Sequence, residues 1–272
     1  MAEAQIPGRL HPYRAILGSR IRSQLQYRTS FAFDLINSVG FGLLEYLEVY
    51  LIFHNVRTLG GLDWGQSLVV FALARTSFAL ADLVVGHIDG IPTYVRTGTL
   101  DVLLLRPLPV LLQLVLSDIS LRRLGRLALY LVVFALALHR VSIDWTPARL
   151  ALVPATVLGG CAIFSAVFIV AGASQFRLLD GGEFANAFTY GGGYVASYSA
   201  EVLPAPVRAF FTAVVPATFT GYLPALALLG KPGPPGFPAW LGWCTLPVAT
   251  LALTVALRLW RGGIRHYQGG GG

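Results

Sequence analysis

Long apolar runs with few polar interruptions alternate with short turn-rich segments along the 272 residues. The chain begins differently, because between Pro12 and Thr29 the apolar residues Tyr13, Ile16, Leu17, Ile21 and Leu25 recur at helical spacing while Gly18, Arg22 and Gln26 take the other side. This pattern predicts a basic amphipathic helix over residues 10–29 lying on a membrane surface, with a solvated helix as the alternative. No cleaved leader is evident.

The apolar runs then predict membrane spans over 31–53, 67–86, 124–138, 150–171, 186–202 and 239–260. The second ends where Asp89, Gly90 and Pro92 gather. From Val110 to Leu138 we expect one long helix whose first half, carrying Asp118, Arg122, Arg123 and Arg126, projects from the membrane. Gly159, Gly160, Ala162 and Ser165 in the fourth span suit close helix contact. Residues 186–202 are rich in Gly, Ser and Tyr, whereas 207–229 are apolar but broken by Pro216 and Pro224. One of the two is a full span; we take 186–202, with 204–230 folding as two short re-entrant helices, and the reverse assignment keeps the same count. Broken helices at membrane depth must be buried in protein.

The expected fold is therefore all-α: a polytopic membrane protein of about six spans in a single domain over 1–268. The glycine tail 269–272 is set aside. Composition agrees, with 55% hydrophobic and 12% charged residues and a mean hydropathy of +0.66, against about 25% charge in soluble domains. Fourteen of the twenty basic residues fall at the N-terminus, the C-terminus and the second-to-third and fourth-to-fifth connections, which puts both termini in the cytoplasm. The formal charge of +7 then calls for anionic membrane lipids and no nucleic acid.

Catalytic patterns are missing. The only lysine, Lys231, precedes Pro232, so no phosphate-cradling loop exists and the chain hydrolyses no ATP by itself. Cys161 and Cys244 lie inside spans, and the five histidines are isolated; neither a disulfide framework nor a metal site is indicated. We expect no catalytic residue and no cofactor in this chain.

Intramembrane charges are the functional candidates, since each is costly unless paired or facing a polar cavity. Asp34, Glu45 and Glu48 share one face of the first span. Glu45 and Arg75 each lie eight residues from the outer ends of adjacent antiparallel spans, which predicts an ion pair at equal depth, with Asp82 pointing the same way as Arg75 two turns below. A structural pair is the simpler role and substrate binding the other. Between 90 and 107, Pro92 and Gly98 bracket one short helix and Thr99 starts another that stops at Arg106 and Pro107. The run Val102 to Leu105 on this knob must be covered by the protein's own helices or by a partner.

Gly98-Thr99-Leu100-Asp101-Val102-Leu103-Leu104-Leu105-Arg106-Pro107-Leu108 resembles the cytoplasmic loop motif of type-2 ABC exporter permeases. Leu116 to Arg126 looks like the start of that family's third helix, and Val214 to Ala225 like its proline-rich outer segment before the last helix. The resemblance covers nearly the whole chain. It implies a bacterial inner (plasma) membrane half-transporter in which two permease subunits, identical or paralogous, sit on separate ABC ATPase subunits that bind ATP and magnesium. By this likeness the knob, with Tyr94, Arg96, Leu100, Asp101, Leu103, Leu104 and Arg106, docks on the ATPases together with the N-terminal helix. The path would run between the permeases along the first, second and fifth spans, with Asp34, Glu48 and the stripe Tyr190, Tyr194, Tyr198 as candidate lining. Tyrosines at that spacing also serve packing. The acidic first span departs from many relatives and argues against a purely apolar substrate. A secondary transporter would show two related halves, and a membrane-embedded enzyme would show converging catalytic residues; neither is found.

Overall fold

A computed structural model of the protein describes residues 28–117, 120–176 and 182–267, with Gly18 and Gln26 besides. Most of the amphipathic helix expected over 10–29 lies outside the described residues, as do Asp118 and the tail 269–272. The described residues form helices joined by short turns and contain no strand. Three helical stretches are long and apolar enough to cross a membrane, at Thr29–Asn55, Trp64–Arg96 and Pro147–Gln175.

The first helix, α1 (Arg28–Asn55), leads to a tight turn in which Leu59 and Leu62 exchange backbone hydrogen bonds of 2.9 and 3.2 Å. Gly60 and Gly61 occupy its centre at φ +53° and +70°, a left-handed pair that residues with a Cβ adopt poorly. Asp63 then starts α2 (Trp64–Val85) with a reciprocal cap, accepting from the Gln66 amide while the Gln66 side chain accepts from the Asp63 N–H.

α2 gives way at Gly86 to a 3-10 turn (Gly86–Gly90), and the chain goes on as α3 (Ile91–Arg96), the short helix that Pro92 and Gly98 bracket. Pro92 stands in the first turn of α3, where its missing N–H costs no hydrogen bond. Gly98, at φ +67°, reverses the chain into α4 (Thr99–Leu104).

One expectation fails between Val110 and Leu138, where the sequence predicts a single long helix. The chain forms α5 (Val110–Ser117), a 3-10 turn (Leu121–Arg123) and α6 (Leu124–Arg140), with Ser120 extended between them. After the break Arg123 and Arg126 both meet Asp82 of α2.

Helix α7 (Pro147–Gln175), capped by the Thr146 hydroxyl, packs between α2 and α11 (Thr245–Arg265). A Cβ on Gly160 would come within 2.5 Å of Ser77 of α2, and one on Gly159 within 2.7 Å of Thr245, so these helices approach at backbone distance. Next come α8 (Gly182–Ala196) and a 3-10 turn (Ala200–Val202). The segment after them is in three pieces, α9 (Ala205–Ala213), a 3-10 turn (Ala217–Thr220) and α10 (Tyr222–Leu229). Pro216, which donates no N–H, sits at the break.

Burial ranks the elements. In the most apolar stretch of the α2–α3 rod 83% is buried, in that of α1 only 11%. The rod is the axis on which α1, α6, α7, α8 and α10 pack. Phe33, Ile36, Leu44 and Leu51 of α1 face outward.

Candidate functional site

Polar side chains are concentrated in layers along one side of the α2–α3 rod. In the upper layer Arg75, 5% exposed, points from α2 toward α1, and its Nη1 lies 3.5 Å from Glu45 Oε1. The Tyr130 hydroxyl of α6 donates to the other oxygen of Glu45. The Arg75 guanidinium also stands 5.6 Å from the Tyr194 ring centre and 5.8 Å from that of Phe71, within cation–π range. One turn along α1, Glu48 accepts hydrogen bonds from the hydroxyls of Tyr194 and Tyr198 of the fifth apolar segment, the latter at 2.9 Å. Glu45, Arg75 and Glu48 thus join α1, α2, α6 and α8, with one guanidinium among two carboxylates. Among the described residues no ion pair reaches Glu48, and the tyrosine hydroxyls supply its donors.

Asp82 does not join this layer. Almost fully buried, it is held by Arg123 Nη1 at 2.8 Å and Arg126 Nη2 at 3.0 Å, and Arg123 also donates to the Asp82 backbone carbonyl. A buried carboxylate between two guanidinium groups is well compensated, and deleting either side would strand charge. Asp34, further along α1, borders with Asn37, Ser38, Phe41, Arg123 and Arg126 a pocket of about 220 Å³. Asp89, in the 3-10 turn below α2, accepts from the Tyr190 hydroxyl at 3.0 Å. The tyrosine stripe is therefore divided, Tyr190 bonding to the rod and Tyr194 with Tyr198 to α1.

The knob after the rod splits by face. Leu100 and Leu103 are buried, as are Ile91 and Val95 of α3 beneath them. Val102, Leu104 and Leu105 are exposed, Leu105 at 86%. Arg96 and Arg106 lie on the surface, while Tyr94 and Asp101 are half-buried. The buried Gln113 of α5 fixes the knob, its Nε2 donating to the carbonyls of Leu103 (3.0 Å) and Leu108 (2.8 Å). The His87 ring adds a 2.7 Å contact to the Leu114 carbonyl.

Sequence reasoning brought Glu45 and Arg75 together but passed over Tyr130, Asp89, Gln113 and the roles of Arg123 and Arg126. Two arginines three residues apart at a helix start were a usable signal. Tyr130 and Gln113, single polar groups in apolar runs, carried none without the helix packing.

No curated protein and no solved structure matches the chain. The family model described as ABC-2 family transporter protein matches residues 39–271, from the middle of α1 to beyond the end of α11. An all-helical chain with apolar helices of membrane-crossing length, joined by buried charge pairs, suits that assignment, and the protein belongs to the ABC-2 transporter family as a type-2 ABC transporter permease.

Proposed function

We propose that the protein is the membrane-spanning half of an ABC exporter, working as a pair with an identical or paralogous permease on two separate ATPase subunits. Six spans cross the inner membrane with both termini cytoplasmic, and the 204–230 segment dips into the outer leaflet without crossing. The observation that carries this reading is the exposed apolar ridge of Val102, Leu104 and Leu105 on a short helix at the end of the α2–α3 rod. Water would not leave such a ridge uncovered. A partner pressing there moves the rod as a rigid lever, because the buried Leu100 and Leu103 and the Gln113 bonds clamp the knob to the body. The far part of the same rod carries Arg75, so a push at the knob is felt in the layer that ties α1 to α8. Energy enters mechanically as alternation between two rigid-body states. The acidic, tyrosine-rich flank of α1 and α8, with Asp34, Glu48, Tyr190, Tyr194 and Tyr198, lines the path and suits cargo with polar or cationic character.

The test is to purify the tagged permease with its partners. An ATP-binding subunit should accompany it in stoichiometric amount, and substrate should stimulate ATP hydrolysis. The double variant Leu104→Asp/Leu105→Asp should lower that stimulation at least tenfold while membrane insertion and yield stay unchanged. Full stimulation in this variant would remove the ridge from coupling. Leu103→Asp, by contrast, should lower the yield of folded protein, because its side chain faces the core.

A further inference from the structure

An apolar cavity of about 720 Å³ lies on the side of α8 opposite the tyrosines, between the second half of α7, the start of α8 and the middle of α11. Its roof is the end of α9 and the break at Pro216. The size is that of a ligand site. The wall is formed by residues such as Ala166, Val170, Phe210, Pro216, Leu251 and Val255, and among the described residues none that lines it is charged. Its two hydroxyls are already committed, Ser174 Oγ donating to the Ala171 carbonyl and Thr212 Oγ1 to the Arg208 carbonyl, each at 2.7 Å. The cavity thus offers a ligand no free hydroxyl donor, and an apolar void of this kind neither holds water well nor stays empty without cost.

Its opening is lateral. Val170, Val214, Leu251 and Val255 on its rim are exposed and continuous with the outward apolar face of α11. Along α7 the lining runs from Ala166 to Ser174, about 12 Å of helix rise, close to the roughly 15 Å of hydrocarbon in one leaflet. Thr245, at the start of α11, packs on Gly159, and Gly263 packs on Ala173, so α7 and α11 run parallel; the lined stretch lies toward the C-terminal end of α7 and in the first half of α11.

We infer that this cavity is a binding site for one acyl chain of a membrane phospholipid, inserted from the leaflet at the C-terminal ends of α7 and α11 with its tip under the Pro216 break. The chain covers backbone at 213–217 that has left helical geometry and would otherwise face hydrocarbon. The site lies apart from the proposed path and does not require the ATPase, so its failure would leave the transport reading intact.

The experiment uses the purified complex in nanodiscs containing phosphatidylethanolamine with a diazirine on the acyl chain, and a second preparation with the diazirine on the headgroup. The chain probe should label 166–174, 210–219 and 248–255 at least threefold above the outward face of α1. Ala252→Trp and Ala213→Trp, which fill the cavity from opposite walls, should each lower that labelling at least threefold while labelling of α1 is unchanged. Equal labelling of cavity and α1, meaning annular lipid only, would overturn the site. So would enrichment that survives both fillings, or stronger labelling of the cavity by the headgroup probe.

Discussion

Arg75 and Asp82 stand two turns apart on α2, yet they answer to different neighbours and should respond differently to mutation. Asp82 is 1% exposed and held by two arginines at 2.8 and 3.0 Å, whereas Glu45, at 25% exposure, meets Arg75 at 3.5 Å. Removing one partner of a buried pair costs about 3–5 kcal/mol because the other charge is stranded, and a partly exposed pair costs less. Asp82→Asn should therefore lower the thermal unfolding midpoint of the purified permease clearly more than Glu45→Gln does. Equal shifts would mean that the α2–α6 contact is no tighter than the α1–α2 contact. For the Glu45 and Arg75 pair, Glu45→Arg and Arg75→Glu alone should each reduce folded yield, and the double reversal should restore most of it. Restoration will be incomplete, because Tyr130 donates to the carboxylate at position 45 and cannot do so to a guanidinium.

Among elements, α8 gives the sharpest contrast within three residues. A Cβ at Gly191 would meet nothing within 4 Å, whereas one at Gly193 would come within 2.7 Å of the Phe78 ring of α2. Gly191→Ala should raise stability by up to about 1 kcal/mol through helix propensity. Gly193→Ala should lower it, since Phe78 is itself packed by Phe164, Phe168 and Tyr190 and has little room to yield. Thermal midpoints of the two variants decide this, and a fall with Gly191→Ala would show that the run must flex. Such element-level detail was unevenly legible in the sequence. The apolar runs of α1, α2 and α7 stand out because a helix that crosses lipid cannot hide polar residues on its outer face. Glu45 and Arg75 could be matched by depth because a short turn joins their helices and sets the register. Asp82 could not, since its partners come from α6, whose start depends on the break after Ser117. The two faces of the knob were also out of reach. Four apolar residues in a row have no periodicity, and only packing against Ile91 and Val95 decides that Leu103 turns in while Leu104 turns out.

On the scale of the whole molecule, the uneven cover of its helices points to movement. The α2–α3 rod is deeply buried, whereas α1 packs on α6 and on Trp64 and meets the α8 side through Glu48, which accepts from Tyr194 and Tyr198. Hydrogen bonds from neutral hydroxyls are each worth roughly 0.5–3 kcal/mol, so α1 and α8 can part without the core unfolding, which is what a path opening along that seam requires. In a background with Cys161 and Cys244 replaced by Ser, Tyr194→Cys and Tyr198→Cys place thiols on the seam, and Leu251→Cys places one on the lateral apolar face. A membrane-impermeant thiol reagent should modify the seam cysteines several-fold faster when the assembled complex is cycling on ATP than when nucleotide is withheld. Leu251→Cys should stay unreactive in both conditions, because hydrocarbon and not water faces it. If the seam positions are as inert as Leu251→Cys throughout turnover, water never reaches them, and the flank of α1 and α8 does not line the path.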